Sequence, residues 1–363
     1  MSSHVLSGLL KYFPTPKILA MPSVGIEVVP EAIRFIEIIE KGGSFSVGKY
    51  GRYVLSEAGD DDTFPNSPHI KEALVELKKK YKLDLITAAL PEDKAYIFST
   101  EVPRLAPDEI RAGLELKLEE HVPVPPKDAI FDYRIVSIDP ASNRLQVSVS
   151  VVPNLVVSRY VDLFVSAGLT PVAFELSAQA AVNALIKRED HSPAIVVNLG
   201  KYDTRLFLVS RRTVHFSSVI SVGGDALTEA IKKYFKISAA EAEKIKGERG
   251  IARKKEDADL FFSLANTLSA LKDEIEKLVS YWDSHRERYS DAKEKIGRII
   301  LCGPEANLSG LPEYFEASLG LPVALGNVWE NIFSFDSYIP PISRTESLSF
   351  AVATGLFLRS YFS

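Results

Sequence analysis

The sequence predicts an α/β protein with two similar lobes, and three observations support this prediction. The chain has 363 residues, which is long for a single domain. Two apolar strands run directly into turns, and the polar positions within them, Glu27 and Asn198, are 171 residues apart. Strand-like alternation and helix-like spacing of apolar residues follow one another along both halves of the chain.

The first part of the chain carries the signals of three strands, a helix and a fourth strand. Residues 24–55 alternate in the manner of strands, with a turn at Pro30-Glu31 and glycine interruptions further on. The acidic, proline-containing stretch 59–68 predicts a loop, and 69–80 has apolar residues at helical spacing. An apolar strand, 83–90, then ends at a proline.

The next segment, from 91 to about 165, is predicted to be a module inserted into the first lobe. Its helix begins at Pro107, with two acids in the first turn, where the helix dipole favours them. Prolines at 123, 125 and 126 end this helix rigidly. The residues predicted to line one face of the helix are Ile110, Leu114, Leu118 and His121. The other predicted elements are a strand at 96–102, a hairpin of 132–138 with 145–152, and a helix at 154–167.

The second half of the chain repeats the pattern of strands followed by helices. An alanine-rich helix at 176–186 is predicted to be buried against a closely packed neighbour. The second lobe begins near Ala194, and its longest helix, 258–288, has apolar residues at helical spacing. A last helix, 347–359, carries several small residues. The remaining predicted elements are strands at 194–199, 205–209, 214–218 and 299–302 and helices at 224–234 and 238–246.

The composition excludes several classes of protein and of site. The net charge of −5 argues against a protein that binds nucleic acid. The single cysteine, Cys302, excludes a disulfide framework and a cysteine-based zinc site, and the six histidines lack metal-ligand spacing. Because no stretch reaches the roughly 20 apolar residues of a membrane span, we expect a cytoplasmic location. For residues 1–21 two interpretations stay open: a flexible arm that packs on the body, or a helix that docks on a membrane surface or a partner.

Five segments, in their order and spacing, together resemble the PilM family of type IV pilus assembly proteins. That family belongs to the actin-like ATPase superfamily, in which FtsA and MreB are more distant relatives. The resemblance covers about residues 22–363. The segments that carry it are 110–124 (IRAGLELKLEEHVPV), 131–136 (FDYRIV), 167–171 (AGLTP), 223–231 (GGDALTEAI) and 347–359 (SLSFAVATGLFLR).

The resemblance implies an α/β fold of the actin-like (ribonuclease H-like) kind, with two lobes and an inserted α+β module in the first lobe. The expected domains are an N-terminal arm (1–21), a first lobe (22–90, 166–192 and 345–363), an inserted partner-binding module (91–165) and a second lobe (193–344).

The resemblance also implies a site for ATP with Mg²⁺ between two strand-turn-strand units. In such turns the backbone N–H groups face phosphate oxygens, and glycine permits close approach of the backbone. An acid beside the turn holds Mg²⁺, usually through water. The family pattern of the first turn, Gly-Ile-Asp-Ile-Gly-x-x-Ser, corresponds here to residues 25–32, GIEVVPEA. Gly25 is therefore kept, and Glu27 becomes the candidate catalytic acid.

Both turns depart from the family pattern. In the first, Val29 replaces a glycine, Pro30 lacks an N–H group, and Glu31 adds a negative charge beside the expected phosphates. Two like charges about 4 Å apart repel by roughly 4 kcal/mol at an effective dielectric constant near 20. In the second, the pattern Val-Asp-Ile-Gly-x-x-x-Thr keeps Gly200 and Thr204, but Asn198 replaces the aspartate and removes its charge.

The side of the site that would hold the nucleoside is better preserved. The further cofactor-binding candidates that the resemblance implies are Gly223, Gly224, Asp225, Glu243, Lys246 and Gly303. A structural interpretation stands beside this one, because actin-like folds need the glycine turns whether or not nucleotide binds. Glu243 and Lys246 could likewise belong to a solvated helix face. No residue is a metal-ligand candidate.

The function implied by the resemblance is that of a cytoplasmic scaffold, peripheral to the inner membrane, in type IV pilus or related secretion machinery. It would bind the N-terminal tail of a single-span, PilN-like inner-membrane protein in a groove beside the module, with ATP binding weakened or lost. One alternative is a working actin-like ATPase switch. Another is an FtsA-like filament protein, which is disfavoured because the sequence ends at Ser363 without a C-terminal anchor. Self-association stays open.

Overall fold

The computed structural model describes residues 24–55, 64–139, 142–251, 258–286 and 294–362. The predicted N-terminal arm, and residues 59–63 of the predicted acidic loop, lie outside these residues. The described strands are β1 (Val24–Val29), β2 (Ala32–Lys41), β3 (Ser44–Val54), β4 (Leu85–Leu90), β5 (Tyr96–Pro103), β6 (Ala129–Asp139), β7 (Arg144–Pro153), β8 (Thr170–Leu176), β9 (Ala194–Leu199), β10 (Thr204–Ser210), β11 (Thr213–Ile220), β12 (Arg298–Cys302) and β13 (Val323–Leu325). The described α-helices are α1 (Pro68–Tyr81), α2 (Pro107–His121), α3 (Asn154–Ser166), α4 (Ser177–Leu185), α5 (Gly224–Phe235), α6 (Ala239–Arg249), α7 (Ala258–His285), α8 (Leu311–Leu319), α9 (Arg344–Ser347) and α10 (Ala351–Phe362).

Two five-stranded sheets with the same topology form the two lobes. The first sheet has the order β3-β2-β1-β4-β8, and the second has the order β11-β10-β9-β12-β13. In each sheet the central strand pairs with an antiparallel hairpin partner on one side and with a parallel strand on the other. We call the first sheet with α1 and α3 the first lobe, and the second sheet with α5 to α8 the second lobe. The predicted α/β fold with two similar lobes is confirmed, whereas the exact domain boundaries stay a prediction.

A third, smaller sheet carries the inserted part of the chain. Its order is β5-β7-β6, and all its pairings are antiparallel. Helix α2 covers one face through the buried side chains of Ile110, Leu114 and Leu118, as predicted. His121 does not join that buried face; it is exposed and stacks on Phe98, with ring centroids 4.2 Å apart. It lies in the last turn of the helix, where the face leaves the sheet. We call β5 to β7 with α2 the inserted sheet.

The core of the second lobe follows the predicted periodicity of its longest helix. Helix α7 buries one stripe against the sheet, and the side chain of Trp282 in this stripe is fully buried. The stripe consists of Leu260, Leu264, Leu268, Leu271, Ile275, Leu278 and Trp282. Burying each aliphatic side chain contributes about 1.5–3 kcal/mol to the free energy of unfolding. The apolar stripe therefore determines which face of the helix packs on the sheet.

Helices α4 and α10 lie between the two sheets and join the lobes. Their side chains share one buried cluster with residues of both central sheets, such as Ala89 of β4 and Val196 of β9. The two helices approach so closely that a Cβ atom on Gly355 would lie 1.6 Å from the carbonyl oxygen of Ala180. A Cβ atom on Gly25 would likewise lie 1.9 Å from the carbonyl oxygen of Ala353. Gly25 is therefore required by packing against α10, independently of any phosphate.

Four elements differ from the sequence-based predictions. Strand β8 was not predicted; it lies at the edge of the first sheet and contains Pro171, and proline is tolerated at such an edge although it weakens a strand pattern. Helix α8 and the three-residue strand β13 were also not predicted. The last helix begins at Ala351 rather than at residue 347, after the short helix α9 and a 3₁₀ turn at Leu348–Phe350.

Two glycine-to-alanine substitutions should change stability in opposite directions. We expect Gly355→Ala to lower the free energy of unfolding by about 1–3 kcal/mol or more, because α10 must move away from Ala180. Gly247→Ala, in α6, meets no atom within 4 Å, so it should raise stability by about 0.5–1 kcal/mol through the lower entropy of the unfolded chain. Urea unfolding followed by circular dichroism measures both, and a neutral Gly355→Ala would contradict the close crossing.

Candidate functional site

The two hairpins that begin the lobes face each other across a cleft, and the first brings a buried carboxylate to it. Glu27 is 4% exposed. Its register partner on β2 is Arg34, whose Nη1 donates to Oε2 of Glu27 at 3.3 Å and whose Nη2 donates to Oε1 of Glu31 at 3.1 Å. Burial raises the pKa of Glu27, and the two nearby arginines, Arg34 and Arg205, oppose that shift. One guanidinium therefore holds both acids of the first turn.

The second hairpin carries an arginine whose side chain extends across the cleft. Arg205 is the register partner of Asn198 on β9. Its Nη2 donates to Oδ2 of Asp203 at 3.1 Å, and its Nη1 lies 3.8 Å from Oε1 of Glu27 in the other lobe. The surrounding carboxylates, with Asp203 foremost, raise the pKa of Arg205 against the effect of burial. The arginine is thus charged, and it joins the two lobes by an ion pair.

Little space is left where Glu27 of the first hairpin faces Asn198 and Gly200 of the second. The cavity that Glu27, Asn198 and Gly200 line together with both arginines has a volume of about 10 Å³, which is room for about one water molecule. The structure therefore brings three of the sequence-predicted site residues together, but around a nearly filled space.

Several backbone donors of the turns already have acceptors within the protein. The N–H of Gly200 donates to the carbonyl oxygen of Asp203 at 2.8 Å, and the N–H of Gly224 donates to that of Gly200 at 3.1 Å. Three further bonds are Asp225 N–H to Lys201 O, Gly303 N–H to Leu348 O and Glu305 N–H to Leu199 O. A phosphate at this position would have to compete with these bonds for the N–H groups.

Glu243 and Lys246 belong to a second, internal ion-pair cluster. Lys246 is 3% exposed, and its Nζ lies 3.0 Å from carboxylate oxygens of both Glu243 and Glu305. It also donates to the carbonyl oxygen of Gly224 at 3.1 Å. A Cβ atom on Gly224 would lie 2.2 Å from Cδ of Glu305, so the Glu305 side chain rests directly on the start of α5. Lys246 is not part of a solvated face, although the Glu243 side chain is 58% exposed.

The other predicted residues have structural roles that are independent of a ligand. The Thr204 hydroxyl donates to the carbonyl oxygen of Val222 at 2.6 Å. Gly303 has a φ of +95°, and a Cβ atom there would lie 2.4 Å from Oδ1 of Asn198. A Cβ atom on Gly223 would lie 2.5 Å from the carbonyl oxygen of Lys201. The side chain of Asp225 is exposed. Gly223 and Gly303 therefore leave room for neighbouring backbone and side-chain atoms that a Cβ atom would meet, which agrees with the structural interpretation.

The residues that the sequence argument missed are the cations and acids that fill the cleft. The largest omissions are Arg34, Arg205, Asp203, Glu305 and Glu92. A signal existed for the two arginines, because each follows the predicted acid position by seven residues in its own lobe. The first hairpin has a two-residue turn and the second a four-residue turn, and in both registers that spacing places the arginine directly across from Glu27 or Asn198.

Glu92 is a further buried carboxylate at the edge of the cleft. It follows β4 and lies at the N-terminus of α4, where the Ser177 hydroxyl donates to its Oε2 at 3.2 Å and the Ala178 N–H donates to its Oε1. Burial raises the pKa of Glu92 to about 7, even though Arg205 and these hydrogen bonds favour the charged form. Glu92 therefore changes its charge near neutral pH.

A larger groove opens next to this network. Its volume is about 420 Å³, and its walls come from the two lobes. Phe64 and Pro65, with Arg159 and Tyr160 of α3, lie on the first-lobe wall, and Arg205 lies on the second-lobe wall. Glu27 and Asp203 also line this groove, so it shares one side with the ion pairs of the cleft.

Hydrogen bonds attach the inserted sheet to the second lobe. Oγ of Ser99 lies 3.3 Å from Nδ1 of His215, and the Ser148 hydroxyl donates to the carbonyl oxygen of Val214 at 3.0 Å. His215 is 1% exposed, and burial lowers its pKa to about 4, so the imidazole is neutral at pH 7. The inserted sheet thus bridges the two lobes away from the cleft.

Comparison with known proteins decides the family. The model of the family described as type IV pilus assembly protein PilM matches residues 25–361. The chain belongs to the PilM family. Among solved structures, a PilM–PilN type IV pilus biogenesis complex is similar with a TM-score of 0.71 and 18% identity, over 93% of this chain and 98% of that chain.

More distant structures confirm the actin-like fold of this PilM family member. The ethanolamine utilization protein EutJ from Carboxydothermus hydrogenoformans has a TM-score of 0.53 and 15% identity, over 95% of this chain and 90% of that chain. MreB5 of Spiroplasma citri bound to ADP has a TM-score of 0.52 and 14% identity, over 94% of this chain and 97% of that chain. Within the part of the chain that the structure covers, no helix has both the length and the hydrophobicity of a bilayer span. The same part shows no cluster of three or more His, Cys, Asp or Glu suited to a metal ion.

The buried Glu92 should make stability fall as the pH rises towards neutral. Its pKa is about 7 in the folded protein against an ordinary value of 4.5, so its contribution is full below pH 4.5 and is lost as the pH rises through 7. The difference amounts to about 3 kcal/mol. In Glu92→Gln the amide oxygen can still accept a hydrogen bond from Ala178. This variant should lose this part of the decrease in the free energy of unfolding between pH 5 and pH 8, as measured by urea unfolding.

Glu241→Gln is the matched control for this prediction. Hydrogen bonds from Ser238 lower the pKa of the exposed Glu241, so its contribution is present above its ordinary pKa and lost as the pH falls. The substitution should lower stability by a constant amount above about pH 5, and it should change the slope of stability against pH only below about pH 5. An unchanged slope between pH 5 and pH 8 in the Glu92 variant would overturn the assignment.

Proposed function

We propose that this PilM family member is a scaffold of type IV pilus or related secretion machinery whose own nucleotide binding is weakened or lost. Its partner is the cytoplasmic N-terminal tail of a single-span, PilN-like inner-membrane protein. Its location is the cytoplasmic side of the inner membrane, reached through that partner. The observation that carries the proposal is the nearly filled cleft, in which two arginines neutralise the acids that would otherwise hold a metal ion.

Mg-ATP does not fit the residues around the cleft. A carboxylate that holds Mg²⁺ must offer its oxygens to the metal or to its waters, but those of Glu27 are engaged by Arg34 and Arg205. The opposite position, Asn198, carries no charge. Glu305 rests against Gly224, and the nearby turn N–H groups are bonded to carbonyl oxygens. Binding would require breaking several buried ion pairs, and each of them costs several kcal/mol to break by removing one partner.

The groove of 420 Å³ supports the choice of a peptide tail as the ligand. It combines apolar walls, such as Phe64 and Val156, with the charged groups of Asp93, Lys94 and Arg159 at its rim. Apolar walls with a few polar groups are the usual composition of a ligand-binding groove, and the ligand that we assign to it is the peptide tail. A PilM–PilN complex is among the similar structures, and a tail of the same kind would enter this groove between the two lobes.

Calorimetry with Mg-ATP tests the loss of nucleotide affinity. We expect no saturable heat up to millimolar nucleotide, which corresponds to a binding free energy weaker than about 4 kcal/mol. The protein should meanwhile unfold cooperatively in the same buffer, which excludes inactivation as the cause. Saturable binding at micromolar concentration would instead favour the ATPase switch, in which Glu27→Ala should abolish hydrolysis.

Blocking the groove tests the tail-binding role. The probe is a fluorescently labelled peptide covering the N-terminal tail of the PilN-like protein encoded in the same genome, titrated by anisotropy. Ser221→Trp places a large ring in the groove from an exposed position, and we expect at least about tenfold weaker binding, or 1.4 kcal/mol. Ser284→Trp, exposed on α7 outside the groove, should bind as the unmodified protein does. Equal affinity of both variants would count against this groove.

A further inference from the structure

Four acidic side chains lie in or beside the described part of the cleft, and their mutual repulsion opposes closure of the two lobes. Glu27 and Glu31 stand on the first hairpin, Asp203 stands on the second, and Glu92 lies beside them at the start of α4. Carboxylates on opposing walls repel one another, and the repulsion grows as water is excluded. A closed cleft therefore requires positive charge between the lobes.

The two arginines differ in which lobe their acidic partners belong to. Arg34 lies in the first lobe and contacts only first-lobe acids, Glu27 and Glu31, in the ion pairs described above. Arg205 lies in the second lobe and contacts Asp203 of its own hairpin and Glu27 of the other lobe. Its side chain is 13% exposed and that of Glu27 is 5% exposed, so solvent and salt screen this pair only weakly.

Arg205 makes one of the connections between the lobes within the described residues. The lobes are also joined at α4 and α10, where the backbones touch, and through the inserted sheet. The Arg205–Glu27 pair is the connection made by charge between the two first hairpins, and it is buried. Arg205, Glu27 and Asp203 also form one side of the 420 Å³ groove, so the separation of the lobes sets the width of that groove.

We propose that Arg205 is an internal latch: its guanidinium takes the place of a bound cation between the lobes and keeps the cleft closed without nucleotide. This inference rests on the proposed loss of nucleotide binding, because a bound Mg-nucleotide would itself bridge the lobes. The groove is consequently preformed, and its shape depends on an ion pair within the chain rather than on a nucleotide cycle.

The separation of the lobes can be measured by pulsed electron resonance between two spin labels. Cys302 is the chain's single cysteine and is fully buried, so labels can be placed at Lys71→Cys on α1 and Lys233→Cys on α5, both exposed positions. In nucleotide-free buffer we expect one narrow distance distribution for the otherwise unmodified chain. Arg205→Met should shift it to longer distances and broaden it, and Arg205→Lys should give an intermediate distribution, because it keeps the charge on a shorter, single-point donor.

A matched control and a second variant make the result decisive. Arg144→Met removes an exposed ion pair with Glu101 inside the inserted sheet and should leave the distances unchanged. If Arg205→Met does not fold, as judged by its thermal unfolding, the double variant Glu27→Gln with Arg205→Met removes the bridge without leaving Glu27 charged and unbridged. A distribution identical to that of the unmodified chain in the variant that folds overturns the latch, and so does a broad distribution in the unmodified chain.

The two proposals can fail separately. Micromolar binding of Mg-ATP in calorimetry would contradict the loss of nucleotide affinity, but it would not alter the distances measured without nucleotide. An absence of peptide binding would likewise contradict the scaffold role alone. The distance distribution of nucleotide-free Arg205→Met decides on the latch by itself.

Discussion

The contact between α4 and α10 is the constraint on which the arrangement of this protein depends. The two helices cross with almost no side-chain material between them, since Gly355 lies against the carbonyl oxygen of Ala180. Both central strands pack on this pair, and Gly25 of β1 touches α10 at Ala353. Because the crossing fixes how far apart the two sheets can lie, it also fixes where their first hairpins meet. The cleft and its charges are a consequence of that geometry.

Once the hairpins meet, electrostatics determines what can occupy the space between them. Buried carboxylates are tolerated in proteins only when they are paired, hydrogen-bonded or protonated. This chain uses all three solutions within a small volume: Arg34 and Arg205 pair with Glu27, the start of α4 donates hydrogen bonds to Glu92, and burial raises the pKa of Glu92 to about 7. The same internal pairing occurs on the other side of the cleft, around Lys246. On both sides of the cleft, charged side chains are therefore paired within the protein.

The sequence was sufficient to predict the fold and most of its elements, because periodicity and turn residues report on local structure. Helix α7 and the hairpins are examples, and the resemblance to the PilM family supplied their arrangement. The candidate site was predicted only as a set of positions. What fills it depends on side chains distant in sequence, such as Glu305 on Gly224 or Arg205 on Glu27, and no local pattern reveals which side chain reaches across a cleft. The equal spacing of Arg34 and Arg205 behind their turns was visible, but its meaning required the register of the hairpins.

The neutral side chain of Asn198, where the family pattern has an aspartate, determines what a substitution at this position would do. In the first hairpin the acid Glu27 faces its own arginine, whereas in the second hairpin Arg205 faces a neutral amide and extends to the other lobe. A single change of Asn198 back to aspartate would therefore place the new carboxylate next to a guanidinium that is already in position, and not next to an open coordination site. A change at Arg205 alone would in turn remove one of the two guanidinium groups near the buried Glu27. The effects of substitutions at Asn198 and Arg205 are therefore coupled, and neither can be judged from its own position alone.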